Sequence, residues 1–307
     1  MKTTIGSEVL AAMRAGHPLV ALETALVTHG LPKPLNLETI LGMEAAVREV
    51  GAIPATIGVL SGEVIIGLSA AELTALAIAE SPVKVGVRDL PLVALGKVSG
   101  GTTVSATAYL AHRYGLAVLA TGGIGGVHRG ACDSLDISAD LTILGRTPIT
   151  VISSGAKAIL DLGLTLEYLE TQGITVAGYG TDLFPAFYAA TSPYRLALRI
   201  DSPREAAKVA LARDELGLPS AILINNPVRT ALEIPWQELL TYIVQIEGEV
   251  KAAGITGQDV TPQMLSRLFA VTAGRTLKAN LSLLTENARL GAEIAQALCA
   301  ERKRSNG

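Results

Sequence analysis

The sequence predicts an α/β fold, a three-layer α/β/α sandwich around a largely parallel or mixed sheet, and three observations carry that expectation. Short apolar, β-branched-rich runs alternate with segments of helical period along most of the 307 residues. The runs are bounded by Gly, Pro, Ser or Asp and are continuously apolar, as strands covered on both faces are. Hydrophobic residues make up 49% of the chain against 17% charged, which suits a core of a size that folds without disulfide or metal.

In chain order, residues 19–22 read as a strand and 36–50 as a helix. A strand follows at 52–60. The helix at 69–80 is entered through the capping box Ser69-Ala70-Ala71-Glu72. A helix is expected at 102–114 and strands at 116–120, 141–144 and 149–152. After a helix at 165–171 and a strand at 174–177, Ser202-Pro203-Arg204-Glu205 opens a helix over 202–216 with Pro at its first position. The last strand is 221–224. Beyond it, 236–253, 261–273 and 276–300 are helical with no strand between them, a helical C-terminal extension. No internal repeat or Pro-, Gly- or Ser-rich linker divides the chain. Residues 1–300 therefore read as one catalytic domain and 301–307 as a frayed tail.

Charge and composition exclude several classes. The net charge is −3, and the single basic cluster, Arg302-Lys303-Arg304, ends the chain, so nucleic acid is not an expected partner. The mean hydropathy is high at +0.42, yet no apolar run reaches the roughly 18 residues of a membrane span. The excess belongs to a core or to subunit interfaces, which favours a homo-oligomer. Cys132 and Cys299 match no zinc or redox spacing. With no signal-peptide pattern at Met1-Lys2-Thr3-Thr4, a reducing, cytoplasmic setting is expected.

Polar residues gather where strands should end, which is where open α/β sheets build their sites. Glu23, in Val20-Ala21-Leu22-Glu23-Thr24, follows an apolar strand. It is either a carboxyl whose proton is held by desolvation, fit for general acid work, or a structural partner of a Lys or Arg. Lys84, between Val83 and Val85, is an edge residue reaching water or an anion ligand in a cleft. The run Thr121-Gly122-Gly123-Ile124-Gly125-Gly126-Val127-His128-Arg129 allows close backbone approach and an anion nest, and matches neither the dinucleotide nor the P-loop pattern. Asp133-Ser134-Leu135-Asp136-Ile137-Ser138-Ala139-Asp140 offers oxygen ligands to a hard cation, with Asp136 and Asp140 on one face if the segment is helical, or else forms a polar cap or turn. Lys157, in Ser153-Ser154-Gly155-Ala156-Lys157, is expected in the first turn of a helix. There the dipole favours loss of its proton and a neutral amine that forms Schiff bases.

These segments, in order from about residue 18 to 295, resemble the pseudouridine-5′-phosphate glycosidases, the group that includes indigoidine synthase A-like proteins. The matching motifs are Ala-Leu-Glu-Thr…Thr-His-Gly (21–30), Pro54-Ala55-Thr56, Arg88-Asp89-Leu90-Pro91, the glycine run, Asp136–Leu141, Gly155-Ala156-Lys157 and Lys278-Ala279-Asn280. The resemblance implies an α/β/α homotrimer that uses Mn²⁺, one ion per subunit. It also implies reversible cleavage of the C–C glycosidic bond of pseudouridine 5′-phosphate to uracil and ribose 5-phosphate through a lysine-bound, ring-opened sugar. It assigns Glu23 as general acid, Lys157 as covalent nucleophile and Asp136 as the metal position. Lys84, Val104, Ser138, Ala139 and Asp140 fall on substrate-binding positions, and Asn280 on a further site residue. His128, from the glycine run, joins the expected substrate contacts. Thr24 replaces a Ser of the pattern and keeps a hydroxyl. Gly86-Val87 replaces a more basic pair, leaving Lys84 and Arg88 as local cations. Three rivals remain: a sugar kinase, for which the Gly-Ala-Gly-Asp-like turn is missing; another Schiff-base aldolase of sugar phosphates; and a nucleotide sensor or pigment-synthesis relative.

Overall fold

Parallel strands cannot be joined by tight turns and need crossover connections, which the helical segments between the apolar runs supply. The computed structural model describes residues 2–255 and 260–305. In chain order the elements are β1 (Lys2–Ile5), α1 (Ser7–Ala15), β2 (Leu19–Leu22), α2 (Leu35–Glu49), β3 (Ile53–Leu60), β4 (Glu63–Ile66), α3 (Ala70–Ile78), β5 (Val83–Val85), β6 (Gly100–Thr102), α4 (Val104–Arg113) and β7 (Val118–Ala120). There follow α5 (Ala131–Ser134), α6 (Ala139–Leu144), β8 (Thr150–Ser153), α7 (Leu162–Thr171), β9 (Thr175–Tyr179), β10 (Leu198–Ile200), α8 (Pro203–Glu215), β11 (Ile222–Asn225), α9 (Trp236–Ala252), α10 (Val260–Val271) and α11 (Arg275–Ser305).

The main sheet runs β3-β2-β7-β8-β11-β9-β10, and every pair in it is parallel. β3 is long enough to serve two sheets. Residues 53–56 pair with β2, while Ile57–Leu60 turn to antiparallel pairing with β4 and Gly58 and Val59 with β6. β1 then adds to β4, and β5 to β6. The strand interiors are apolar on both faces, with Leu22, Ile57, Leu119, Val151, Ile152, Leu223 and Ile224 fully buried. That is why their sequences read as continuous runs.

Handedness sorts the helices into two layers. Crossovers between parallel strands are almost always right-handed. Moving from β2 to β3, and from β10 back to β11, therefore sends α2 and α8 to one face. Moving the opposite way, from β7 to β8 and from β8 to β9, sends α6 and α7 to the other. The packing agrees: α11 lies against α2, α8, β2, β7 and β8, and α4 lies against α6, β2 and β7.

Several expectations change. Residues 141–144 are not a strand but the body of α6, whose N-cap Ser138 accepts the amide of Asp140 at 3.2 Å. Of the C-terminal helices, α11 is more than an extension, because it forms the middle of one layer. The tail is not frayed over 301–305, since α11 continues to Ser305 and Glu301 pairs with Arg204 at 2.8 Å. Residues 306 and 307, like Met1, lie outside the described residues. Strands β1, β4, β6 and β10 and helix α1 are additional to the expected set. No helix among the described residues is long and apolar enough to cross a membrane.

Candidate active site

The order of strands reverses beside β2. The chain passes from β2 to β3 on one side and later resumes with β7 on the other side of β2. A crevice opens at the carboxyl ends of strands where such a reversal occurs. Glu23 leaves the end of β2 and Thr121 the end of β7, and the Thr121 hydroxyl donates to Glu23 Oε1 across that crevice. Glu23 is 9% exposed. Burial holds its pKa above the ordinary carboxyl value; the charge of Lys157 and the Thr121 hydrogen bond oppose the rise, Asp140 adds to it and Lys84 opposes it. A buried carboxyl that keeps its proton is a general acid in waiting.

Lys157 follows β8, the strand beyond β7. It is not in a helix: α7 begins only at Leu162, so the dipole argument for its reactivity falls. Its position comes from the glycine run instead. Ile124 N donates to Gly155 O at 3.1 Å and Lys157 N donates to Ile124 O at 3.1 Å. Lys84 arrives from the second sheet. It sits opposite Gly101 in the β5–β6 pair, and β6 is tied to the chain after β2 through Thr24 N to Thr102 O at 3.3 Å and Thr102 N to Thr24 Oγ1 at 3.0 Å. Lys84 is exposed in the single chain, yet partial desolvation of its ammonium lowers its pKa, and Lys157 lowers it further against the pull of Asp140 and Glu23.

Asp140 is buried, and both its oxygens are engaged by backbone: Oδ1 accepts Ser105 N at 2.8 Å and Oδ2 accepts Gly125 N at 2.9 Å. It thus clasps the start of α4, where Val104 is buried, to the glycine run. Asp136 and Asp140 do not share a helix face, because Leu135 takes a left-handed φ of 56° after α5 and Asp136 lies in the loop before α6. Asp136 is exposed, its carboxylate 3.8 Å from His128 Nδ1. The loop between them is closed by His128 N donating to Asp136 O at 3.0 Å. Burial lowers the His128 pKa; Asp136 opposes this, while Lys157 and Lys84 reinforce it. Ser138 is half-buried and Ala139 exposed. Asn280 is on α11, and its spacing of four and seven to Leu284 and Asn287 puts the three on one face of that helix. Mutual electrostatic effects therefore join Glu23, Lys84, Lys157, Asp140, His128 and Asp136 in one site, with Val104, Ser138 and Ala139 at its edge.

The glycines have a different reason from the one expected. A Cβ on Gly123 would strike the Phe187 ring, and one on Gly125 would strike Ser138 Oγ. These residues are small to admit protein neighbours rather than to leave an open anion nest. Phe187 itself is held at a left-handed φ of 61°, with its amide donating to Ser154 O at 2.9 Å. Arg129 Nε is buried with no hydrogen-bond partner among the described residues. Sequence reasoning missed Thr121 as a partner of the acid, and it missed Asn287. The signal on offer for Asn287 was only its helical spacing of four and three from Leu283 and Leu284, which puts it on their face of α11.

For a metal, no group of three or more His, Cys, Asp or Glu side chains converges among the described residues. With both Asp140 oxygens engaged, Asp136 is the site's anionic oxygen donor open to solvent. Such a donor set fits a hard cation that keeps most of its waters and does not fit a closed protein cage.

Fold and site together define an α/β enzyme that sets a buried carboxyl of raised pKa among lysine amines at the switch point of its sheet. The model of the family described as indigoidine synthase A like protein matches residues 8–297, and the chain belongs to that family. It is 49% identical over 295 residues to a pseudouridine-5′-phosphate glycosidase of Jannaschia sp. (96% of this chain, 98% of the relative). It is 47% identical over 293 residues to one of Nocardioides sp. (95% of each). Among solved structures, an indigoidine synthase A-like protein of Thermotoga maritima superimposes with a TM-score of 0.88 at 38% identity, covering 97% of both chains. The prealnumycin C-glycosynthase AlnA in complex with ribulose 5-phosphate gives 0.92 at 35% identity, covering 99% of both.

Proposed function

We propose that this protein is a pseudouridine-5′-phosphate glycosidase, reversibly cleaving the C–C glycosidic bond to give uracil and ribose 5-phosphate. The observation that carries the reading is Glu23: a carboxyl whose pKa is raised by burial, bonded by Thr121 and within electrostatic reach of Lys157. A C-glycoside has no leaving oxygen or nitrogen to protonate, so the usual two-carboxylate scheme does not serve. An amine nucleophile does. Glu23 gives its proton to the ribose ring oxygen as Lys157 Nζ bonds to C1′ and the C1′–O bond breaks, opening the ring and leaving a secondary ammonium. That nitrogen gives a proton to the Glu23 carboxylate, uracil C5 takes the proton from Glu23, and the C5–C1′ bond breaks as the lysine nitrogen lone pair forms a C=N bond. Water hydrolyses that imine, releasing ribose 5-phosphate and the amine.

Lys84 and the unpartnered Arg129 Nε supply positive donors for the phosphate. His128, Val104, Ser138, Ala139 and Asn280 complete the proposed substrate contacts, and Asp140 holds the wall they stand on. Asp136 would hold Mn²⁺ through one carboxylate, and the ion would supply polarisation of substrate oxygens. The reading includes a homotrimer, for which exposed Leu92, Leu95 and Leu135 offer apolar surface to cover. It also includes a cytoplasmic setting, which suits the free thiols of Cys132 and Cys299.

The test is uracil release from pseudouridine 5′-phosphate by the purified protein with Mn²⁺ and with EDTA. Release that falls at least about tenfold on chelation supports the reaction and the metal together. Folded protein that releases no uracil in either condition overturns the assignment.

A further inference from the structure

Asn287 is a buried polar side chain hydrogen-bonded from both ends. It lies fully buried on α11, a helix that otherwise turns Leu283, Leu284 and Ala288 toward the sheet. Its Nδ2 donates to Thr121 O at 2.8 Å, to Ser154 Oγ at 3.1 Å and, more weakly, to Gly122 O at 3.4 Å. Its Oδ1 accepts from Asn226 Nδ2 at 3.0 Å. An Asn side chain has two N–H donors and one carbonyl oxygen, so this one is satisfied from both ends. The three segments it holds are the residues that follow β7, β8 and β11, three adjacent parallel strands. One side chain thus staples the carboxyl edge of the sheet at the place where the site is built.

What those segments carry gives the staple its meaning. Thr121 donates its hydroxyl to Glu23. Ser154 stands three residues before Lys157, and its amide donates to Gly122 O at 2.8 Å. We infer that Asn287 is a positioning residue that sets the Glu23 carboxyl and the Lys157 amine at their working separation, acting through Thr121 on one arm and Ser154 on the other. An apolar residue of like volume would fill the same space and hold neither arm. The inference rests on the acid–amine reading of the site, and it concerns a residue that touches no reacting atom. A displacement of about 1 Å between reacting groups costs on the order of a hundredfold in rate, so the cost of losing the staple falls on kcat rather than on substrate binding.

The test compares the full-length protein with Asn287→Leu, Thr121→Val and Ser154→Ala. Three readouts are used: steady-state turnover of pseudouridine 5′-phosphate, borohydride capture of ribose 5-phosphate on the protein, and titration of the Glu23 carboxyl followed by ¹³C NMR. The groups that face Glu23 in that titration are Lys157, Thr121, Asp140 and Lys84. For Asn287→Leu we expect kcat to fall about a hundredfold with KM changed by less than about threefold. The Glu23 pKa should rise as the Thr121 hydroxyl loses its aim.

The single-arm variants keep the proposal testable if Asn287→Leu does not fold. Thr121→Val keeps the bond from Asn287, which goes to the Thr121 backbone oxygen, and should raise the Glu23 pKa by removing the hydroxyl at the end of that arm. Ser154→Ala should slow capture about tenfold and leave the Glu23 pKa in place. The staple is refuted if Asn287→Leu lowers only the melting temperature, with kcat and the Glu23 pKa unmoved, or if neither single-arm variant changes its own readout. The carboxyl titration needs no substrate. An unaltered protein that fails to release uracil therefore refutes the assigned reaction without touching the structural half of this inference.

Discussion

Burial at Glu23 makes the acid useful and makes it costly. Its pKa stands above the ordinary 4.5 because the folded chain desolvates the charged form. The stability of the neutral buried form is thus fully present below pH 4.5 and is lost as pH rises through the raised value. Glu23→Gln keeps the shape and removes the titration. It should lower kcat by about 10² to 10⁴, and its melting temperature should exceed that of the unaltered protein more at pH 8 than at pH 5. Thermal unfolding at the two pH values checks the sign, and a variant destabilised equally at both contradicts it. Turnover of the unaltered protein should fall with rising pH along the limb that reports this acid. Glu23, Lys84, Lys157, Asp136 and Asp140 were legible in the sequence because each is a charged residue placed beside a strand end in apolar or small-residue surroundings. Thr121 and Asn287 were not, because a hydroxyl or amide declares its partner only once the strands are side by side. The role of Asp140 was hidden for the same reason, since the amides that occupy it belong to Ser105 and Gly125, distant in sequence.

Long elements with caps were read well and short ones were not. The box at the start of α3 forms as its spacing predicts, with Glu72 N donating to Ser69 Oγ at 3.4 Å and Ser69 N to Glu72 Oε2 at 2.7 Å. Ser69→Ala should cost about 1 kcal/mol of stability, measured by urea unfolding, with activity retained because the side chain of Ser69 bonds Glu72 and no residue of the site. A loss below about 0.3 kcal/mol would show that the box contributes nothing there. Residues 141–144 failed in the opposite sense. A four-residue apolar run fits a buried strand or a buried helix turn equally by period, and Ser138 as N-cap decides for the helix. The strands missed at β1, β4, β6 and β10 are three or four residues long. β6 is mostly glycine, and its place is set by pairing with β3 and β5 rather than by local preference. Lys157 was placed one element too late: the turn after β8 runs on to Asp161 before α7 begins, and it is held there by the glycine run.

For the whole molecule, the alternation of strand and helix was enough to predict the layers, and the right-handed crossover rule distributes the helices between them. It did not predict that β3 serves two sheets, nor that α11 returns across the strands. Both features matter to the site. The second sheet brings Lys84 to the crevice, and α11 brings Asn287 to the strand ends beneath it. The central claim is that this convergence makes Lys157 the covalent nucleophile of a carbon–carbon glycosidic cleavage. Its most direct measurement is borohydride reduction of the protein in the presence of ribose 5-phosphate, followed by peptide mapping by mass spectrometry. The account predicts one reduced pentose-phosphate adduct per chain, on Lys157, and none on the Lys157→Ala variant. Capture on Lys84 instead, or undiminished capture on the variant, would contradict it.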